Sequence, residues 1–347
     1  MRVVSLMCLI LAVLITPIQV KAQASMASAA SILMYHRFGE GKLPSTNIRI
    51  EQLEAHIALL TSGPYTVLPL DEVVVALQYG TPLPPNAVVI TVDDAYRSFV
   101  TEGWPRFKAA GLPVTWFLNT AAVKSGAVGT GGGAPTWDEV RRLRDEGVTF
   151  GVHSHAHPHL PTLTPQEQEA DLDRALALFE QELGLRPKTF AYPYGEADRA
   201  AMDLMAAKGF VAAFGQHSGV AWGGDDRWYL PRFALNEQYG APDRFRRVID
   251  ALPLPATDVM PASPVVRGTP PVYGFTVTQP DLPLDRIACY GPSGKLAAQI
   301  VGPRVEVRMG VTPPPGRTRI NCTLPGPRTA DGIQRWHWRG TQFVVLP

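Results

Sequence analysis

Two short clusters in the chain hold residue types suited to chemistry. The first is Asp93-Asp94, which ends the apolar run Val88-Val89-Ile90-Thr91-Val92. Adjacent carboxylates repel, so such a pair is costly unless positive charge lies beside it. A divalent cation would let one aspartate bind as a ligand and leave its neighbour ionised as a base. A helix N-cap is the plain alternative, because an aspartate there accepts backbone N–H bonds.

The second cluster is Gly151-Val152-His153-Ser154-His155-Ala156-His157-Pro158-His159, which contains four of the eight histidines of the chain. Four residues of extended strand span about 13 Å, whereas zinc–nitrogen bonds are about 2.0–2.1 Å. Two histidines four apart can therefore share an ion only where the chain turns, and a helical turn brings i and i+4 within about 6 Å. Pro158 disfavours a continued strand. His153/His157 and His155/His159 both meet the spacing. A solvated histidine-rich loop is the bland alternative, but four imidazoles at a strand end favour metal binding. Asp-Asp with His-x-x-x-His offers two neutral imidazoles and one carboxylate, with a second carboxylate to spare. That set suits a catalytic ion with an open position better than a closed structural site.

The elements that must position these residues alternate regularly. Apolar runs occur at Ile32–Tyr35, Val88–Val92, Val114–Leu118, Val148–Val152, Thr189–Tyr192 and Phe210–Phe214. Helix-like segments lie near Ile50–Leu60, Ser98–Ala110, Trp137–Glu146, Pro165–Leu183 and Arg199–Lys208. Thr164-Pro165 with Glu167 has the form of a helix start, and Gly111, Gly147 and Gly209 stand where helices should stop. Repeated strand–helix alternation predicts a parallel α/β architecture over 31–254, satisfied equally by a barrel or an open doubly wound sheet. Both clusters then fall at carboxyl ends of strands, where such folds build active sites. A proline-rich linker is expected over 255–271. Short alternating runs without helical period follow, which predict a small all-β C-terminal domain over 272–347. Cys289 and Cys322 fall on two of its expected strands and suit a disulfide staple for so small a unit, worth about 3–4 kcal/mol in the chain-entropy model, with two buried free thiols as the plain alternative.

The motifs resemble those of the polysaccharide deacetylases, the NodB-homology or carbohydrate esterase 4 group. Thr91-Val92-Asp93-Asp94 is similar to motif one and His153-Ser154-His155-Ala156-His157 to motif two. Phe190-Ala191-Tyr192-Pro193-Tyr194-Gly195 resembles motif three. Ile32-Leu33-Met34-Tyr35-His36 and Leu230-Pro231-Arg232-Phe233 resemble segments of the branch that includes poly-N-acetylglucosamine deacetylases. The resemblance covers about residues 31–250 and implies a distorted (β/α) barrel. It also implies that Asp94, His153 and His157 hold one divalent metal ion, zinc first, with iron, cobalt or nickel also suited to the donor set. Asp93 would be the general base toward the attacking water, and the backbone N–H of Tyr194 would help hold the oxyanion.

The chain departs from the family pattern in three places. Ala95 stands where a glycine usually follows the aspartate pair. Ala191 replaces the usual motif-three arginine, so Arg232 is the candidate partner of Asp93. No histidine occurs between His217 and His337, so the family's late acid histidine lacks a counterpart. His217 is the candidate catalytic acid, with His36, His155, His159 or a water as alternatives.

The implied activity is hydrolysis of N-acetyl groups on an amino-sugar polysaccharide, of poly-N-acetylglucosamine type or peptidoglycan- or chitin-like. A small-amide hydrolase and a non-catalytic polysaccharide-binding protein are the competing expectations. A net charge of +1 with 18% charged residues offers no electrostatic case for a nucleic-acid partner. Residues 1–24 combine Arg2, an apolar stretch and a small-residue cleavage pattern, as in a secretory signal peptide. Periplasmic or extracellular export follows, with no stable membrane insertion after cleavage. Trp137, Trp222 and Trp228 are weighed as sugar platforms against core packing, and Trp336 and Trp338 as a sugar face against a small core. Gly126 with Gly129–Gly133 reads as a mobile loop, not a phosphate cradle.

Overall fold

The computed structural model describes residues 28–125, 133–267 and 272–346. The expected signal peptide, most of the glycine-rich loop and Pro270-Pro271 lie outside the described residues. Six parallel strands lie side by side in chain order: β1 (Ala29–Tyr35), β2 (Ala87–Asp93), β3 (Thr115–Leu118), β4 (Thr149–Val152), β5 (Thr189–Ala191) and β6 (Ala212–Phe214). β2 is buried along its whole length, as a strand covered on both faces must be. Side chains alternate between two cores. Leu33, Ile90 and Trp116 join the larger one, while Ile32, Val89 and Phe117 join an inner one with Phe214 and Leu230. Each such fully buried apolar side chain contributes about 1.5–3 kcal/mol. By the same alternation Thr91 and Asp93 share the inner face with Val89.

The sheet curls into a half-barrel. β7 (Ala221–Trp222) runs antiparallel to the start of β1, and β8 (Phe233–Ala234) pairs parallel with Leu33 and Met34. Leu230 meanwhile bridges to Phe214 of β6. The segment from Leu230 to Ala234 thus touches both edges of the sheet, and Arg232 lies in its middle.

Helices α1 (Ile50–Ser62), α3 (Trp137–Asp145), α4 (Pro165–Leu183) and α5 (Arg199–Ala207) fall where the pattern places them. Their starts are well specified: Thr136 with Glu139, and Thr164 with Glu167, form reciprocal capping boxes. Three further helices, α2 (Leu70–Tyr79), α6 (Pro242–Ile249) and the short Thr120–Ser125, were not expected. The expected helix over Ser98–Ala110 is divided, with a π-helical stretch at Phe99–Gly103 before the α-helix Trp104–Ala109. Pro105 explains the break, because it has no N–H to give to the preceding turn.

Among the described residues beyond 252 the regular elements are strands, apart from one 3-10 turn at Leu284–Arg286. The long hairpin β14 (Gly316–Arg328) and β15 (Gln334–Val345) joins β11 (Ala288–Gly291) in one sheet; β9 (Ala256–Met260), β10 (Val272–Val277), β12 (Ala298–Val301) and β13 (Arg304–Arg308) form another. Tyr273, Phe275, Ile320 and Phe343 fill the core between them. Cys289 and Cys322 stand opposite each other in the β11–β14 pairing and are joined by a disulfide. The proline-rich stretch expected to be a linker is in part structured, since β9 and the short strand Val265–Val266 fall within it. Its prolines flank those strands, where no ladder N–H is lost. Trp338 packs edge-on against Phe233 at 5.3 Å, so it seals the junction with the half-barrel and forms neither a sugar face nor a separate core. A buried Arg339–Asp225 ion pair at 2.9 Å lies at the same junction.

Candidate metal centre and cleft

The carboxyl ends of β1, β2, β4 and β5 deliver His36, Asp93-Asp94, His153 and the Tyr192–Gly195 turn to one edge of the sheet. Backbone conformation there is unusual. Asp94 (φ 70°), Ser154 (65°), His157 (56°) and Tyr194 (60°) all adopt the left-handed region without being glycine. Each such residue costs on the order of 1 kcal/mol or more and persists only where its surroundings enforce it, a pattern that collects at functional sites.

The enforcing contacts are visible. Asp171 of α4 accepts both His155 N–H and Ala156 N–H at 2.8 Å, and Ser154 Oγ accepts His157 N–H at 2.9 Å. The histidine segment therefore turns instead of continuing the strand, which brings the ring of His157 back over His153. Trp116 Nε1 donates to Asp94 O at 2.6 Å, and Ala95 N–H to Asn119 Oδ1 at 2.8 Å, fixing the turn after β2.

Asp94, His153 and His157 converge. Asp94 Oδ1 lies 3.5 Å from His153 Nε2 and 3.2 Å from His157 Nε2, and the two Nε2 atoms are 3.2 Å apart. Ligands about 2.0–2.1 Å from a tetrahedral ion are separated by roughly 3.3 Å, so these atoms have the spacing of three corners of such a site. His153 Nδ1 donates to Ala191 O at 2.7 Å, which leaves the Nε2 lone pair directed at the shared point. Burial pushes His153 down to about 4, so its ring stays neutral as a ligand must. Burial would raise the Asp94 carboxyl, but hydrogen bonding and charge from His157 and His153 hold it well below the carboxylate range. Of the two histidine pairs that the spacing allowed, the fold selects His153/His157. His155 bonds Thr120 Oγ1, and His159 bonds Glu196 while stacking on Tyr194 at 4.1 Å.

Asp93 takes the other path. It is wholly buried and receives a two-pronged bond from Arg232, at 2.6 and 2.7 Å. Arg232 is equally buried and also donates to Thr91 Oγ1 and Gly215 O. Burial alone would raise the Asp93 pKa; the charge of Arg232 outweighs it and keeps the carboxylate ionised. The structure thus makes Arg232 the charged partner of Asp93.

A cleft of about 490 Å³ opens over the centre, lined by His36, Asp94, His157, Tyr194, Arg317 and Arg319 among others. His217, the expected catalytic acid, is not among the residues that line this cleft. It lines a separate cavity against the β-rich part, its ring tilted against Tyr229 at 4.6 Å and its backbone carbonyl accepting from Arg232 N–H. Burial pushes its pKa down to about 3, and Arg339, Arg319 and Arg232 oppose its protonation further. His36 occupies the cleft instead. Trp137, Trp222 and Trp228 do not line it.

Sequence reasoning also missed what holds the Tyr194 turn. Gln342 of β15, fully buried, donates to both Tyr194 O and Gly195 O at 3.0 and 2.9 Å, and Arg317 of β14 donates to Tyr194 O at 3.3 Å. Gly195 (φ 70°) is required here, since a Cβ would meet the Gln216 backbone at 2.6 Å. Polar residues alternating along a strand read as a solvent face, so no signal marked Gln342.

A curled parallel sheet thus carries at its carboxyl edge an Asp-His-His set that could hold a metal ion, beside an arginine-paired aspartate. Residues 80–213 match the family model described as polysaccharide deacetylase. The poly-beta-1,6-N-acetyl-D-glucosamine N-deacetylase of Escherichia coli (strain K12) is 24% identical over 50% of this chain and 32% of its own length. YxkH of Bacillus subtilis (strain 168) is 24% identical over 55% of this chain and 65% of its own length. The chain therefore spans from a third to about two thirds of these relatives. The fold is similar to the Streptococcus pyogenes deacetylase PplD in complex with acetate, at TM-score 0.58 and 20% identity over 64% of this chain and 98% of that one. It is also similar to IcaB from Ammonifex degensii, at TM-score 0.55 and 23% identity over 64% and 95%. Residues 80–213 are thus the part of the chain that is similar to polysaccharide deacetylases in sequence.

Proposed function

We propose that this protein is a metal-dependent N-deacetylase of an amino-sugar polysaccharide, releasing acetate. The observation that carries the reading is the convergence of Asp94, His153 and His157 within 4.8 Å beside an aspartate held ionised by Arg232. The donor set suits zinc first, with iron, cobalt or nickel as substitutes. A bound ion supplies Lewis acidity toward the amide carbonyl, which is otherwise a poor electrophile.

The chain's own groups do the rest. Asp93 accepts the proton of the attacking water, with Arg232 fixing its orientation and charge. The backbone N–H of Tyr194 is the donor for the developing oxyanion, set in place by the turn that Gln342 grips. His36 would protonate the departing nitrogen, a role supported by its position in the cleft with Asp94. The substrate is an exopolysaccharide of poly-N-acetylglucosamine type or a peptidoglycan- or chitin-like polymer. The catalytic domain covers 31–254 and the small β domain 272–347. The 1–24 segment supports export to the periplasm or beyond, and no helix among the described residues is long and apolar enough to cross a membrane.

Purified protein incubated with acetylated glucosamine oligomers and polymers should release acetate. Chelation should stop release and added zinc should restore it, with about one ion per chain by elemental analysis. Absence of acetate from every such polymer in the metal-loaded protein would refute the reading.

A further inference from the structure

One arginine in the cleft lacks a counter-charge. Arg319 lines the same cleft as Asp94 and His157, and among the described residues no carboxylate pairs with it. Its Nε donates to the neutral Gln342 Oε1 at 2.9 Å. Burial lowers its pKa, and the like-charged Arg317 lowers it further, opposed only by two tyrosines, Tyr229 and Tyr239. Withdrawing a guanidinium from water without an opposing charge is unfavourable, and it becomes favourable when a ligand supplies that charge.

Arg317 lies two residues earlier on β14, hence on the same face of the strand. Its guanidinium lies over the Tyr194 ring at 5.4 Å. The acid nearest to it, Glu196 at 3.7 Å, is already bonded to His159 at 2.7 Å. Asp94 is the sole acidic residue lining the cleft, and its charge serves the metal centre. One wall of the cleft is therefore positive, and that wall comes from the β-rich part and not from the half-barrel.

We infer that Arg319 and Arg317 form a subsite for a carboxylate carried by the substrate next to the N-acetyl group that is hydrolysed. Guanidinium groups match the two oxygens of a carboxylate in both charge and geometry. The substrate class is then an amino-sugar polymer bearing carboxylate substituents or acidic sugar units, in preference to a neutral homopolymer. The inference rests on the deacetylase reading for the place of the acetamide, whereas the anion subsite itself is read by binding alone.

The test compares two oligosaccharides of equal length: an N-acetylglucosamine oligomer, and one in which alternate units carry a carboxylate. Calorimetry on the full chain should show the acidic oligomer binding about tenfold more tightly at low salt, with the preference shrinking as salt rises. R319Q should erase the preference, R319K should retain part of it, and R317Q should reduce it. In the metal-loaded enzyme the ratio of kcat/KM between the two oligomers should fall by about tenfold in R319Q. Equal affinity or none for the two oligomers in the wild type overturns the subsite, as does a preference that survives both R319Q and R317Q. Preferential binding of the acidic oligomer without acetate release from either one leaves the subsite standing and removes the deacetylase reading instead.

Discussion

In the half-barrel, the groups suited to chemistry stand at strand ends, on backbone held in left-handed conformations by dedicated contacts. In the β-rich C-terminal part, the residues that reach the cleft stand within regular strands, on a hairpin paired from Gly316 to Val345. The first region places atoms by bending its loops around a point. The second places them by the rigidity of a ladder, and Gln342 uses it to hold a turn that belongs to the other region. The contrast teaches that the half-barrel supplies both the ligand set and the turn opposite it, while the C-terminal part grips only the turn, so that grip can be disturbed without the ligands.

The sharpest way to separate the two regions is Asp93→Asn. Acetate release should fall about a thousandfold or more, while metal content stays the same because the three ligands remain. Unchanged turnover would break the assignment of the base to the half-barrel. Arg232→Met leaves Asp93 buried without its partner and should lower unfolding free energy by about 3–5 kcal/mol, measured by denaturant titration, together with activity. A loss under about 1 kcal/mol would show that the pair is solvated. Replacing Cys289 and Cys322 by alanine should cost about 3–4 kcal/mol in the β-rich part while leaving metal affinity unchanged. A parallel loss of metal binding would mean that the regions are one cooperative unit. The smallest effect is expected from Gln342→Leu, which should lower kcat about tenfold with a minor change in KM. No change in kcat would reduce the C-terminal part to a cover.

Much of this was legible in the sequence, for identifiable reasons. Val88–Asp93 announces a strand buried on both faces, and Thr164-Pro165 with Glu167 announces a helix start; both signals are local and both appear in the structure. Helices α2 and α6 escaped because Pro69 and Ala241 precede them and neither offers a side-chain cap. The spacing of four histidines allowed two pairings, and the choice depends on Asp171, a residue of a distant helix whose carboxylate takes the loop's N–H groups. Arg232 was legible as a candidate only because Ala191 left a role unfilled. Histidine type alone does not say which cavity a ring lines, so His217 was not told apart from His36. Arg319 and Gln342 gave no signal, since alternation along β14 and β15 says which residues share a face but not what that face meets.

The position of Arg232 also has a consequence for chains that stop early. Asp93 and its partner are 139 residues apart, and the arginine arrives on the segment that joins the sheet's last edge to its first. A fragment ending before that segment would contain every ligand residue, yet its Asp93 would lack the positive charge that keeps it ionised in so dry a place. Ligands alone, in such a truncated chain, would amount to an ion trap without a base.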